Sequence, residues 1–564
     1  MIARRPVCLF GLFMIFLLPV SLNSWAGPGL DSLPFTHADT LRGTNGPGRF
    51  WWNVLRYDIT VEPDYGRQYI NGTCIMTVSM LKDMPATEAQ VDLQTPMELS
   101  AVTVDYAPAT FRRDGNAYFI TFPAATRGQL HSIRCEFRGK PRKAVTPPWD
   151  GGWIWAKDKA GNPWMSVACQ GLGASVWYPC KDIQSDEPDS GAILRIIVPD
   201  SLTAVGNGRL ESVQKLNNNR TQYNWKVRNP INNYNIVPYI GKYSHFNEVY
   251  NGEKGPLDLD YWVMTYNKDK AVKQFADVTR MLRAFEYWFG PYPFYEDGYK
   301  LVEAPHLGME HQSAIAYGNG YQNGYRGSDL SSTGWGLKWD FIIVHESGHE
   351  WFANSITTAD IADMWVHEGF TNYSETLFTD YYYGKQAGTE YVAGIRKQIE
   401  NDIPIIGPYG VNKEGSGDMY YKGGNMIHYI RQVIGDDETF RKLLRKVNSE
   451  FYHRIVTTED IETFISKESG ISFHSLFDQY LRTTNIPVLQ WAKTKNSIRY
   501  RWDNVVDGYD MPVQVSTDSA TGTMRWIKPT AKWKKIKLKK SDALTAQLFA
   551  DKNFYIKTEE IKKP

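Results

Sequence analysis

The sequence predicts a multidomain α+β protein with a β-sandwich-like N-terminal domain, a mainly helical middle and a small C-terminal β domain. Three observations carry this. From about residue 50 to 245, short runs alternate polar and apolar residues between Gly, Asn and Pro, the pattern of half-buried strands. From about 250 to 485, apolar residues recur at intervals of three and four, the pattern of helices with one buried face. After 487 the alternation returns. A chain of 564 residues exceeds what one hydrophobic core supports, so roughly two to four domains are expected. The boundaries drawn are 1–26, 27–248, 249–486 and 487–564.

The first 26 residues read as a signal peptide. Arg4 and Arg5 give a positive start, an apolar run extends from Val7 to about Leu22, and Ser24-Trp25-Ala26 offers small residues for cleavage. The run is shorter than the ~20 residues of a membrane span. Cleavage and export, to the periplasm or the extracellular space, are therefore expected, with no membrane span left. Cleavage removes Cys8 and leaves Cys74, Cys135, Cys169 and Cys180. An even count in an exported protein permits disulfides; buried free thiols are the alternative. The 63 basic and 62 acidic residues leave a net charge of +1. Such a balance gives no bias toward nucleic acid or a membrane surface.

Arg56–Val61, Cys74–Met80 and Leu194–Val198 carry the strand alternation of the N-terminal domain. In the middle, Val272, Phe275, Val278, Leu282, Phe285 and Phe289 form a helical stripe that Gly290-Pro291 ends. Tyr299–Glu303 reads as a strand. The Gly- and Ser-rich segment 318–336 reads as a long irregular loop, long enough to line a cleft or move over it, and the sequence assigns it no role. Asp363 is placed to cap the helix that follows it. Thr458-Glu459-Asp460 looks like a helix start, and Ser472–Thr483 like a core helix. Asn485-Ile486-Pro487 marks a boundary. Beyond it, Ser497–Trp502 and Met511–Val515 alternate, and the lysines of 532–540 interleave with Trp533, Ile536 and Leu538 as on a strand with one solvated face.

The chemistry centres on His345-Glu346-Ser347-Gly348-His349, followed after eighteen residues by Glu368. On a helix, positions four apart share a face, so His345 and His349 can point two imidazoles at one ion. Two imidazoles and a carboxylate, with a position left for water, are the ligand set of a catalytic zinc. Glu346 projects about 100° away around the helix, beside the ion without binding it, where a carboxylate can take a proton from water. The apolar run Phe341–Val344 before the motif and Trp351-Phe352-Ala353 after it predict a buried helix whose polar groups need partners. Glu375, two turns beyond Glu368, is placed either to orient a ligand or to stand as an exposed helix carboxylate.

Spacing and context, with Glu368 inside Trp365-Val366-His367-Glu368-Gly369-Phe370, resemble the M1 family of zinc metallopeptidases, the gluzincin aminopeptidases. The resemblance extends by pattern over most of residues 50–490. It implies an N-terminal β domain, a thermolysin-like catalytic domain and one zinc ion on His345, His349 and Glu368. It also implies roles for three further residues. Leu307-Gly308-Met309-Glu310-His311 matches the G-x-M-E-N segment on the edge strand of the cleft, whose glutamate, here Glu310, binds the substrate's α-ammonium. Leu307 and His311 depart from that pattern, which leaves the shape of the first side-chain pocket open. Gln170, in Ala168-Cys169-Gln170-Gly171, matches a glutamine that accepts from the same amine. Tyr420, in Tyr420-Tyr421-Lys422-Gly423, matches the tyrosine whose hydroxyl donates to the oxyanion.

The resulting expectation is an exported zinc aminopeptidase acting on peptides with a free N-terminus, with no nucleic-acid partner. Glu346 acts as general base and Tyr420 as oxyanion donor. A thermolysin-like endopeptidase is the alternative enzyme, for which Glu310 is incidental. A peptide-binding protein of the same fold that has lost catalysis is the alternative of another class, and Glu346 and Tyr420, both present, speak against it.

Overall fold

Strand pairing in the first half follows from the alternation. In this computed structural model, which describes residues 35–519, 522–538 and 546–562, Trp52–Asp64 pairs antiparallel with Tyr69–Met80 and parallel with Ala192–Pro199. These strands form the middle of an eight-stranded sheet. Tyr57, Ile59 and Val61 face inward and are fully buried, as period-two alternation requires. A four-stranded sheet, containing Gly152–Lys157 and Pro163–Ala168, shares the core with it. Trp51, Trp52, Trp153 and Trp177 fill the space between. The expected signal peptide and Cys8 lie outside the described residues. Cys74, Cys135, Cys169 and Cys180 are buried free thiols, although Cys74 and Cys135 face each other across neighbouring strands.

The next sheet positions the chemistry. Tyr243–Gly252 and Gly255–Met264 form a hairpin, Tyr299–Glu303 and Ile315–Tyr317 add in parallel, and Gly308–Met309 forms the edge. The division drawn at 248/249 falls inside the first of these strands, whose hairpin continues into the sheet that carries the cleft edge. Helices pack against this sheet. The stripe at 272–289 is two helices, Lys268–Gln274 and Ala276–Phe289, broken at Phe275. Val272 therefore leaves the core and is 54% exposed, a correction to the single-helix reading. Gly290, at φ 99°, ends the second helix as expected. Among the described residues, no helix is long and apolar enough to cross a membrane.

Thr457, not Thr458, caps the Thr458–Ser469 helix. Its hydroxyl accepts from the Asp460 amide, and the Asp460 carboxylate accepts from the Thr457 amide, a reciprocal box. The C-terminal strands form a four-stranded and a three-stranded sheet. Among the described residues they do not build a separate core. Leu489, Trp491, Trp502 and Phe554 belong to the same continuous cluster as the helices of the middle region. Arg396 adds a polar tie, donating to the backbone carbonyls of Lys552 and Asn553 at 2.6 and 3.0 Å. In the 534–537 strand Ile536 is buried and its lysine neighbours are exposed, as the interleaving predicts.

Candidate active site

Asp340 starts the helix that carries the histidines. Its carboxylate accepts from the amides of Ile342 and Ile343, satisfying two of the free donors at a helix start. The helix, Phe341–Gly348, is buried along its whole length. His349 sits at its end, and the chain then opens into a wider turn over Glu350–Asn354, with Phe352 and Ala353 out of helical conformation. The apolar run 351–353 thus does not continue the helix. The reason lies in His349: its Nδ1–H donates to the Phe352 carbonyl at 3.0 Å, which a regular helix would direct elsewhere.

Each imidazole is oriented by its far nitrogen. His345 Nδ1 donates to Glu375 Oε1 at 2.7 Å, and Glu375 is itself held by Tyr391 Oη at 2.6 Å and Asn372 Nδ2 at 3.2 Å. This leaves Nε2 of both histidines facing Glu368 Oε2, at 3.8 Å from His345 and 3.3 Å from His349. Glu368 Oε2 is buried and has no hydrogen-bond partner. One ligand atom from each of the three residues lies within 4.8 Å of the others. Burial opposes charge here, yet Glu368 and Glu375 outweigh it and hold His345 well above the ordinary imidazole range. In the same way the histidines hold Glu368 far below the ordinary carboxylate range. Three converging, desolvated ligand atoms of this kind can hold a cation in place of the protons, and two nitrogens with one oxygen suit zinc.

Glycines let the elements meet. A Cβ on Gly308 would lie 2.6 Å from Glu346 Oε1, so a side chain there would push the carboxylate of the base aside. Gly369 and Gly423 face each other where helices Trp365–Tyr383 and Tyr421–Ile434 cross, a Cβ on Gly423 falling 3.2 Å from the Gly369 Cα. That crossing brings Tyr420, at the start of the second helix, over the His345 ring at 6.1 Å between centroids. Burial, with Glu368 beside the hydroxyl, holds the Tyr420 pKa well above its ordinary range, so it remains a proton donor.

These groups line one cleft of about 740 Å³. It contains His345, Glu346, His349, Glu368, Glu310, Gln170 and Tyr420, with Tyr325 and Leu330 from the long 318–336 loop. All seven sequence-predicted site residues are thus brought together. Burial pushes the Glu346 carboxyl up to about 7, against the lowering influence of His345 and His349. Glu310 is 3% exposed, and one of its oxygens, one of Glu346 and a nitrogen of His349 lie within 4.8 Å of one another. The Gln170 amide nitrogen is buried without a partner. His311 turns away from the cleft and shares a 2.5 Å hydrogen bond with Tyr239, so its departure from the family pattern falls outside the cleft lining. Asp363 does not cap the Glu368 helix. Its carboxylate accepts instead from Thr458 Oγ1 and Tyr409 Oη, both at 2.6 Å. Sequence reasoning missed Tyr234, whose hydroxyl donates to Glu310 Oε1 at 2.9 Å; no motif around it gives a signal.

Comparison with known proteins agrees with this geometry. Residues 275–480 match the peptidase family M1 domain. Leukotriene A-4 hydrolase of Xenopus laevis is 24% identical over 443 residues, 73% of this chain and 68% of that protein. Human aminopeptidase B is 22% identical over 468 residues, 75% and 67% of the two. The crystal structure of an M1 zinc metallopeptidase from Deinococcus radiodurans superimposes with a TM-score of 0.66 at 20% identity, covering 78% of this chain and 96% of that one. With its converging histidines and glutamate set inside the matched stretch, residues 275–480 carry a peptidase family M1 domain, that of a hydrolase acting on peptides with one zinc ion.

Proposed function

We propose that the protein is an exported aminopeptidase that removes one residue at a time from peptides with a free N-terminus. The observation that carries this is the placement of Glu310. A buried carboxylate beside the metal-binding groups, within reach of Glu346 and His349, is a partner for an ammonium group, which is costly to bury alone. An internal peptide bond offers no such cation, so this contact makes the enzyme count from the amino end. The signal-like pattern of residues 1–26 supports export.

His345, His349 and Glu368 hold the zinc. When bound, zinc lowers the pKa of a water molecule and polarises the scissile carbonyl. Glu346, beside the metal ligands in the cleft, takes the proton of the attacking water and delivers it to the leaving amine. The Tyr420 hydroxyl donates to the oxygen on which charge develops, a contribution of about 10²–10³ in rate for such donors. Glu310 and Gln170 fix the α-amine and so set which carbonyl is presented. Phe341, Ile342, Tyr325 and Leu330 give the cleft an apolar wall.

Aminoacyl p-nitroanilides, free and N-acetylated, test this. The wild type should cleave the free substrates and spare the acetylated ones. Glu346→Gln should lose about 10²–10⁴ in kcat while metal analysis still finds one zinc per chain. Cleavage of acetylated peptides at internal bonds would establish the endopeptidase instead, and retained turnover in Glu346→Gln would remove its assignment as base.

A further inference from the structure

Glu310 reaches the cleft from a very short edge strand, Gly308–Met309, which fixes its backbone but not its carboxylate. The group that fixes the carboxylate comes from the other domain. Tyr234 lies on a buried single turn, Asn233–Asn235, and is 2% exposed. Its hydroxyl has one proton to give, and gives it to Glu310 Oε1 at 2.9 Å. Among the described residues no other side chain hydrogen-bonds that carboxylate. We infer that Tyr234 is a positioning residue for the amine subsite: it ties down one oxygen of Glu310 and leaves the other to face the substrate ammonium. The inference rests on the reading of Glu310 as the amine anchor and extends it to the N-terminal domain.

The turn is held on several sides, so the Tyr234 hydroxyl does not drift. Asn233 Nδ2 donates to the Lys181 carbonyl at 3.0 Å, and Tyr178 Oη donates to the Asn233 carbonyl at 2.8 Å. Asn235 Nδ2 donates to Asn354 Oδ1 at 2.7 Å, and Asn354 Nδ2 donates to the Glu310 carbonyl at 2.8 Å. One short turn thus grips Glu310 twice, by its carboxylate through Tyr234 and by its backbone through Asn235 and Asn354. Asn354 belongs to the wide turn that follows His349, so the same turn sets the distance from the amine anchor to the metal ligands. Gln170 lies beside the Tyr234 hydroxyl and joins the same polar group. A carboxylate freed from Tyr234 can rotate about its side-chain torsions, and an ammonium then pays to fix it.

The test compares two inhibitors, leucine hydroxamate and its desamino analogue 4-methylpentanohydroxamate, which differ only in the α-amine. In Tyr234→Phe the Ki of leucine hydroxamate should rise about tenfold, the scale of a hydrogen bond to a charged group, while that of the analogue moves less than twofold. KM for free aminoacyl substrates should rise similarly with kcat within about threefold. Because a ratio of Ki values is read, a partly folded preparation reports as well as a fully folded one. An equal change for both inhibitors, or no change, overturns the inference. Glu310→Gln in the same assay separates the two levels. Loss of preference for the amine there sustains the anchor, and adding Tyr234→Phe to it should then have no further effect. A preference that survives Glu310→Gln would refute the anchor itself.

Discussion

A histidine has two ring nitrogens, and the one turned away from the cleft decides where the other points. His345 Nδ1 is fixed by Glu375, which Tyr391 and Asn372 fix in turn. Replacing Glu375 with Ala frees the ring and leaves Tyr391 and Asn372 donors without their acceptor. Partners of this kind typically contribute 10–100-fold in metal affinity. A chelator-competition titration of Glu375→Ala should show zinc bound about 10–100 times more weakly than in the wild type; unchanged affinity would mean that the helix alone orients His345. Helical spacing in the sequence places Glu375 seven positions beyond Glu368 on the same helix, where it could orient a ligand or stand exposed, and only the contact with His345 decides between the two. Tyr234 was not legible. Its contact joins residues 76 positions apart through the docking of two domains, and no local pattern encodes that distance.

At the scale of elements, periodicity identified the buried helix of the histidines but not its end. Trp351, Phe352 and Ala353 are as apolar as a helix face, and all three are buried, yet the backbone leaves the helix because side-chain hydrogen bonds claim its carbonyls. The Phe352 carbonyl serves His349 and the Ala353 carbonyl serves Thr357 Oγ1. Ala353 holds a φ of 139°, a conformation costly for a non-glycine residue, so these bonds also oppose strain. The start of the helix depends on Asp340. Besides two helix amides it accepts from Tyr317 Oη and Gln274 Nε2 at 2.7 Å and Asn319 Nδ2 at 2.8 Å. An Asp340→Ala substitution strands the Ile342 and Ile343 amides and the Tyr317 hydroxyl in a fully buried place, while Asn319 and Gln274 keep other acceptors. Loss of a cap alone costs about 1 kcal/mol, and each stranded buried donor about 1–3 kcal/mol. Denaturant unfolding should therefore show a loss well beyond that of a cap, at least about 3 kcal/mol, with zinc released at lower denaturant than in the wild type.

The whole molecule is joined at the back of the site by Glu187 of the N-terminal domain, which shares a hydrogen bond with Thr357. Thr357 Oγ1 also bonds the Ala353 carbonyl at 2.5 Å. One hydroxyl proton cannot serve two acceptors. If Glu187 is protonated, it donates to Thr357, which then donates to Ala353, and the chain of bonds is complete from one domain to the strained turn behind the metal ligands. Burial is the first cause of the matching shift: the Glu187 carboxyl rises from 4.5 to about 8, with Asp186 and Asp189 adding to it and Thr357 opposing. The sign of the pH dependence follows. Below pH 4.5 both folded and unfolded chains carry the proton. Between 4.5 and 8 the unfolded chain loses it while the folded one keeps it, so this group's contribution to stability falls as pH rises, and levels off above 8. Glu187→Gln carries no titrating proton and can still donate to Thr357. The wild type should therefore lose more stability than the variant between pH 5 and 8, by an amount on the order of 3 kcal/mol, read from denaturant unfolding of the two proteins at the two values. Parallel losses in the two proteins would show that Glu187 is ionised across this range and that the domains are joined without its proton.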